Sequence, residues 1–366
     1  MVLGLITLLS LTFACLGTLP WSLGTAEGST SPRYNLTNLD AYLLPPTYAM
    51  PAHPSEERAR HETIEGAPFL LMGTDNLGRG MLVRCLAGGG ISIGIGLAAA
   101  AIAVIIGTLY GSIAAIAGER VDGVMMRIVD ILYGLPYVLL VVLLAVTGDT
   151  LLDEYISQSG AREAHITQLA EAHLVELGEP SGGAAVGKLL RERPDLEHGF
   201  FDEAQARYPA RNVSQAERST YEVVVLLIAI GGVSWLTMAR VIRGQVLSLK
   251  AQPFMEAARA SAIPIHWQFF RHLLPNLIAP VIVYATLTVP QAILQESFLS
   301  FLGIGVQPPL PSWGNLASEG LSELNPVRVR WWLIFFPCSL LALTLLALNF
   351  VGEGLRDAFD PKRSSP

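Results

Sequence analysis

Charge is what this sequence holds least of. Asp, Glu, Lys and Arg make up 15% of its 366 residues, while 51% are hydrophobic. That balance cannot clothe an ordinary soluble domain of this length in a solvated surface. Mean hydropathy is +0.46, and a membrane protein is expected. Cysteine is also scarce: Cys15, Cys85 and Cys338 lie in or at the edge of apolar runs, which excludes a disulfide framework and makes them packing residues. No basic segment precedes the first apolar run, so a secretory leader is disfavoured and an uncleaved first span expected. The apolar runs themselves carry no Asp, Glu, Lys or Arg, and so lack the proton-relay carboxylates of many secondary transporters. A phosphate loop is missing as well. In "GGAAVGKLL", Gly182, Gly187 and Lys188 have the glycine and lysine spacing, but Leu189 has no hydroxyl for magnesium and no strand precedes. His165 and His173 read as solvated helix residues. The chain is expected to hold no catalytic residue, cofactor or metal, and to bind no nucleic acid.

What is present is length without charge. Met1–Ala26, Cys85–Gly118, Ile131–Gly148, Val223–Ala239, Leu273–Gln295 and Trp331–Gly352 are charge-free, and each reaches the roughly 17 to 25 residues that span a bilayer. Six transmembrane helices follow, and the fold class is an all-α membrane protein. The second span is rich in Gly, Ala and Ser, with Gly107 and Gly111 at small-xxx-small spacing for close helix packing. Pro136, Pro280, Pro290 and Pro337 fall within spans, where each is expected to kink its helix.

Basic residues sort the connecting segments into two sides. Residues 119–130, 240–272 and 353–366 hold 10 Lys and Arg in 59 positions; residues 27–84, 149–222 and 296–330 hold 14 in 167. The positive-inside rule puts the denser set in the cytoplasm, and with it both termini. The organisation is then a first transmembrane helix at 1–26, an extracytoplasmic segment at 27–84, helices two and three at 85–148, an extracytoplasmic insertion at 149–222, helices four to six at 223–352 and a cytoplasmic tail at 353–366. The insertion has 14 acidic and 7 basic residues, equal to the whole chain's net charge of −7. Segments such as "REAHITQLAEAHLVEL" place apolar residues at helical spacing, so a small helical subdomain is expected there.

Between spans four and five lies "FMEAARASAIPIHWQFFRHLLPN", residues 254–276, which reads as two short helices broken by Pro264. Ala257 and Ala258 offer almost no side chain, so a partner groove can approach closely. Glu256 and Arg259, one turn apart, can pair with each other or with that partner. By pattern alone the stretch fits either a docking element or an amphipathic helix lying on the membrane.

This loop, within residues 250–276, resembles the EAA loop of ATP-binding-cassette importer permeases: Glu256, Ala257, Ala258, Leu274 and Pro275 match, and Ala262 stands where that family has Gly. "GTDNLGRGMLVR" (Gly73 to Arg84), "VDGVMMRIVDILYGLP", "SWLTMARVIRGQVLSL", "ESFLSFLGIGVQPPLPSWG" and "VGEGLRDAFDP" resemble segments of the dipeptide, oligopeptide and nickel permeases, in the C-type subunit. The resemblance covers most of residues 68–361. Gly80 replaces the family's Asp, and residues 149–222 replace a short outer loop. If the loop needs a left-handed residue at 262, alanine costs on the order of 1 kcal/mol. The resemblance implies a bacterial inner-membrane permease with a cytoplasmic coupling helix, carrying coupling on Glu256, Ala257, Ala258, Arg259, Ala262 and Pro275. It implies a sister permease, two cytoplasmic ATP-binding subunits that hydrolyse ATP, and an extracytoplasmic substrate-binding protein. Peptides are the expected cargo; nickel or other metal complexes and peptide-like antibiotics are the alternatives. An ATP-independent carrier and a membrane-anchored scaffold are the rival functions.

Overall fold

A computed structural model describes residues 2–359 apart from 27–28, 30, 51–60, 63, 65–68, 178–181, 211–212 and 325–328. In chain order its helices are α1 (Val2–Leu23), α2 (Met81–Ile116), α3 (Glu119–Tyr133), α4 (Tyr137–Ser157), α5 (Ser159–Glu176), α6 (Gly183–Glu192) and α7 (Pro194–Arg207). They continue with α8 (Gln215–Lys250), α9 (Pro253–Ala260), α10 (Ile265–Gln268), α11 (Leu274–Phe301), α12 (Trp313–Ser322) and α13 (Trp332–Phe359). Among the described residues, five helices are long and apolar enough to cross a membrane. The count is six if α3 and α4, bent by 87°, form one broken span.

That break corrects the expectation that Pro136 only kinks a continuous helix over Ile131–Gly148. Gly134 and Pro136 sit at the join. Proline removes a backbone donor and pushes its predecessor out of the helical region, so the helix stops rather than kinks. By contrast α11 runs through Pro280 and Pro290, and α13 through Pro337. The spans are also not free of charge. α11 continues past Gln295 to Phe301 and carries Glu296, which is fully buried. Its carboxyl accepts hydrogen bonds from Ser300 Oγ at 2.8 Å and Ser297 Oγ at 3.2 Å, and those donors allow a carboxyl to persist in an apolar interior. Beyond the sixth apolar run, α13 extends to Phe359; Lys362 and Arg363 of the basic tail lie outside the described residues.

The chain divides into two compact units, residues 1–145 with 223–366, and residues 146–222. At the centre of the first is α2, packed against α1 and α11. In lipid, helices gain little from hydrophobic attraction and associate by close contact. Gly111 supplies such a contact, since a Cβ there would lie 2.3 Å from the Ala239 carbonyl oxygen of α8. Ile95 and Ala99 of α2, Val141 and Ala145 of α4, and Leu226, Ile230 and Val233 of α8 share one buried cluster. α12 is pinned to α2 by Trp313, fully buried, whose indole N–H donates to the Cys85 carbonyl at 3.1 Å.

The second unit closes around Ala170, Leu174 and Val186, with Leu189, Leu190 and Phe200 against them. Of its histidines, His165 is packed rather than solvated, His173 is 31% exposed and His198 is exposed. His165 is 13% exposed, 4.0 Å from Glu203 and edge-on to Tyr208; His173 meets Phe200. Gly187 and Lys188 fall on helix α6, with Lys188 exposed.

Candidate coupling site

The loop between α8 and α11 is built by its caps. Pro253 opens α9, where a missing N–H costs nothing, and Glu256 places a carboxylate in the positive first turn. At the other end, Ile263 N–H donates to the Ala258 carbonyl at 3.2 Å and Ala262 N–H to that of Arg259 at 3.0 Å. These two bonds are the Schellman pair, and they place Ala262 in the left-handed position with φ of 51°. The loop therefore does require the conformation that glycine adopts freely, and alanine is strained there. Replacing Ala262 by Gly is expected to relieve about 1–2 kcal/mol of strain, less about 0.4–1 kcal/mol of added unfolded-state freedom. Thermal unfolding of the purified protein checks this; a less stable variant rules the account out.

Pro264 then starts α10, and a π-turn follows over Phe269–Leu273, with Leu274 N–H donating to the Phe269 carbonyl. Pro275 explains the widening: in a regular helix its ring meets the carbonyl four residues back and has no N–H to offer it. Asn276 Nδ2 donates to the His272 carbonyl at 2.7 Å.

Cationic side chains lock this loop to the ends of the spans. Arg259 donates from Nη2 to the Lys250 carbonyl at 2.7 Å and from Nε to that of Met255 at 3.3 Å, while Lys250 Nζ donates to the Ala115 carbonyl at 2.7 Å. Each cation sits at the negative end of a helix, where last-turn carbonyls lack partners. Arg259 thus turns toward α8 instead of toward Glu256. Higher on α8, Arg243 takes Asp122 in a bidentate pair and Arg240 takes Asp130 at 2.8 Å with its guanidinium over Tyr133, tying α3 to the same helix.

Burial divides the six residues singled out by sequence. Glu256, Ala257, Arg259, Ala262 and Pro275 are exposed. Ala258 is 4% exposed and faces inward beside Met255, which joins Ile242, Val246, Leu273 and Leu277 in one cluster. The expectation that Ala258 offers its backbone to a partner is therefore corrected. Positions 255 and 258 are one turn apart, so the same turn that exposes Ala257 hides Ala258.

A second constellation lies at the amino end of α2. Asp75, 3% exposed, accepts from the Leu77 and Arg79 backbone N–H groups at 2.9 Å each, from Arg79 Nε at 2.7 Å and from Arg84 Nη1 at 2.6 Å. Arg84, fully buried, also grips Glu319 of α12 at 2.6 and 3.1 Å. Burial pushes the neighbouring Tyr34 hydroxyl up in pKa, against the pull of Arg84 and Arg79. Gly78, with φ of 70°, lets this loop approach so closely that a Cβ would overlap the Asn38 carbonyl. Gly80 caps α2 without a side chain. The charges of "GTDNLGRGMLVR" were visible in sequence; their pairing with Glu319, 235 residues from Arg84, was not.

Comparison with known proteins identifies the family. Residues 107–365 match the model of the family described as binding-protein-dependent transport system inner membrane component. The chain is similar to the oligopeptide transport system permease protein OppC of Haemophilus influenzae, 36% identical over 300 residues, which cover 82% of this chain and 72% of that protein. The Escherichia coli OppC is 38% identical over 290 residues, 79% of this chain and 72% of its own. The dipeptide transport system permease protein DppC of Bacillus subtilis is 34% identical over 290 residues, 79% of this chain and 68% of its own.

Proposed function

The chain belongs to the family of binding-protein-dependent transport system inner membrane components, and from that premise we propose that it passes peptides across the membrane together with a sister permease. As a permease subunit it is not an enzyme, and ATP hydrolysis falls to separate chains. Two cytoplasmic ATP-binding subunits and an external binding protein complete the assembly. Peptides are favoured over metal complexes because the relatives just described are oligopeptide and dipeptide permeases.

One observation carries the coupling role. α9 exposes Glu256 and Ala257 while Met255, Ala258 and the Arg259 and Lys250 caps fasten it to the ends of α8 and α2. A push on its outer face is thereby delivered to two spans as a rigid-body displacement. Reconstitution with the ATPase and binding protein tests the reading: ATP-driven uptake of a labelled tripeptide is expected, and uptake of a nickel complex alone overturns it.

Orientation follows from basic-residue density, with residues 240–272 and both termini inside and the acidic insertion outside. Lys188, exposed on α6, gives the test. A Lys188→Cys protein, its exposed Cys338 replaced by Ser, should react with an impermeant thiol reagent in intact cells. Reaction only after lysis reverses the topology.

A further inference from the structure

α11 is not uniformly apolar. Tyr284, Thr288, Gln291 and Gln295 recur at intervals of four, three and four residues, so on a helix of 3.6 residues per turn they form one narrow stripe about 16 Å long. The buried face of the same helix, with Ile293, Glu296 and Ser300, points elsewhere. Gln291 is exposed and the other three are half-buried. Two half-buried groups of neighbouring helices join the stripe: Tyr137 of α4 donates its hydroxyl to Gln295 Oε1 at 2.6 Å and lies 2.9 Å from Ser234 Oγ of α8. The Gln295 amide nitrogen remains free among the described residues, and the Gln291 amide takes no partner among them.

An unpaired amide facing hydrocarbon is costly, and in lipid every polar group must find a partner. The stripe therefore does not face acyl chains. The Thr288 hydroxyl is satisfied within the helix by the Tyr284 carbonyl at 2.8 Å, but a dry protein contact would need matching partners for the Tyr284 hydroxyl and the Gln291 and Gln295 amides along some three turns, whereas a water-filled path satisfies all three at once. We propose that this stripe lines the translocation path on the chain's side and contacts the main-chain amides of the passing peptide. Its members are neutral donors and acceptors, so they suit the part of a peptide that does not vary with sequence and impose no preference for side-chain charge. This rests on the peptide-importer reading above and assigns the residues of its path.

The test uses the full complex with Cys338 replaced by Ser, since Cys15 and Cys85 are buried. Cysteines at 288, 291 and 295 are compared with cysteines at Leu294 and Ile282, which are exposed, apolar and off the stripe. A thiol must ionise to react and does so poorly in hydrocarbon, so an impermeant methanethiosulfonate should modify the stripe positions roughly tenfold or more faster than the controls. Saturating trialanine-loaded binding protein with ATP should change those rates. Gln291→Leu should cut ATP-driven trialanine uptake about fivefold to tenfold, the worth of one lost hydrogen bond, while the sister permease still co-purifies. Equal labelling on and off the stripe overturns the proposal. So does loss of the sister permease from Gln291→Leu, which would make the stripe an interhelical contact. Absence of trialanine uptake by the unaltered complex instead overturns the peptide reading, and the labelling contrast still decides whether the stripe is wet.

Discussion

Asp75→Ala is expected to destabilise the protein by about 3–5 kcal/mol, the cost of leaving a buried charge without its partner. The carboxylate is almost wholly buried and receives four short hydrogen bonds, two from backbone N–H groups of its own loop and two from Arg79 and Arg84. Without it, the two buried guanidinium groups keep Glu319, whose side chain is 26% exposed, as their one carboxylate among the described residues, and Arg79 keeps the neutral Asn35 Oδ1 at 3.0 Å. Removing Glu319 is milder, because Asp75 still faces both arginines and water reaches the site; Glu319→Gln is expected to cost about 1 kcal/mol. The double change Asp75→Ala with Arg84→Met should recover part of the loss, since it removes one of the stranded cations along with the anion. Cys15 and Cys85 are buried and report the unfolding directly through a thiol-reactive dye in the Cys338→Ser background. An unchanged unfolding temperature for Asp75→Ala, or a double variant no better than the single, removes the cluster as the tie between α2 and α12.

Features set by local signals were legible in the sequence. Charge-free runs located the long helices, the spacing of Gly107 and Gly111 gave a close crossing of α2 with α8, and Pro264 divided the loop. Features that neighbours in space decide were not legible. Glu296 ended an apolar run on the page, yet serine hydroxyls let the helix carry it inward. The α3–α4 break needed the glycine and proline to act together, a stronger effect than the kink expected of Pro136 alone. Ala258 looked like its neighbour Ala257 because alanine fits either face of a helix. Met255, one turn earlier, was the apolar residue that marked the inward side. The polar stripe of α11 was also present in the letters, at helical spacing, but four uncharged residues hardly alter the hydropathy of a span.

The same difference between adjacent alanines yields the sharpest test of coupling. Ala257 is exposed on α9 and Ala258 is buried beneath it. An indole at 257 points away from the chain, so Ala257→Trp should fold and insert normally. If α9 seats in a cleft of the ATPase, the added volume overpacks that contact by about 1–3 kcal/mol. At 1.4 kcal/mol per factor of ten, the affinity falls about 5- to 150-fold. Co-purification of the ATPase should drop accordingly, and substrate-stimulated ATP hydrolysis with it. Ala258→Trp should fail differently. The indole must enter the space that Met255 and Ala258 fill against the spans, so it destabilises the permease itself and lowers its yield before any partner is added. Glu256→Lys belongs with the first variant but is weaker, because an exposed ion pair is worth only about 0–1 kcal/mol. Two measurements separate the cases: the unfolding temperature of the permease alone, and the ATPase retained on it. Ala257→Trp that keeps its ATPase and its stimulated hydrolysis would show that α9 does not couple through this face. Ala258→Trp that is as stable as the parent would show that the inward packing of α9 is not what holds the loop to the spans.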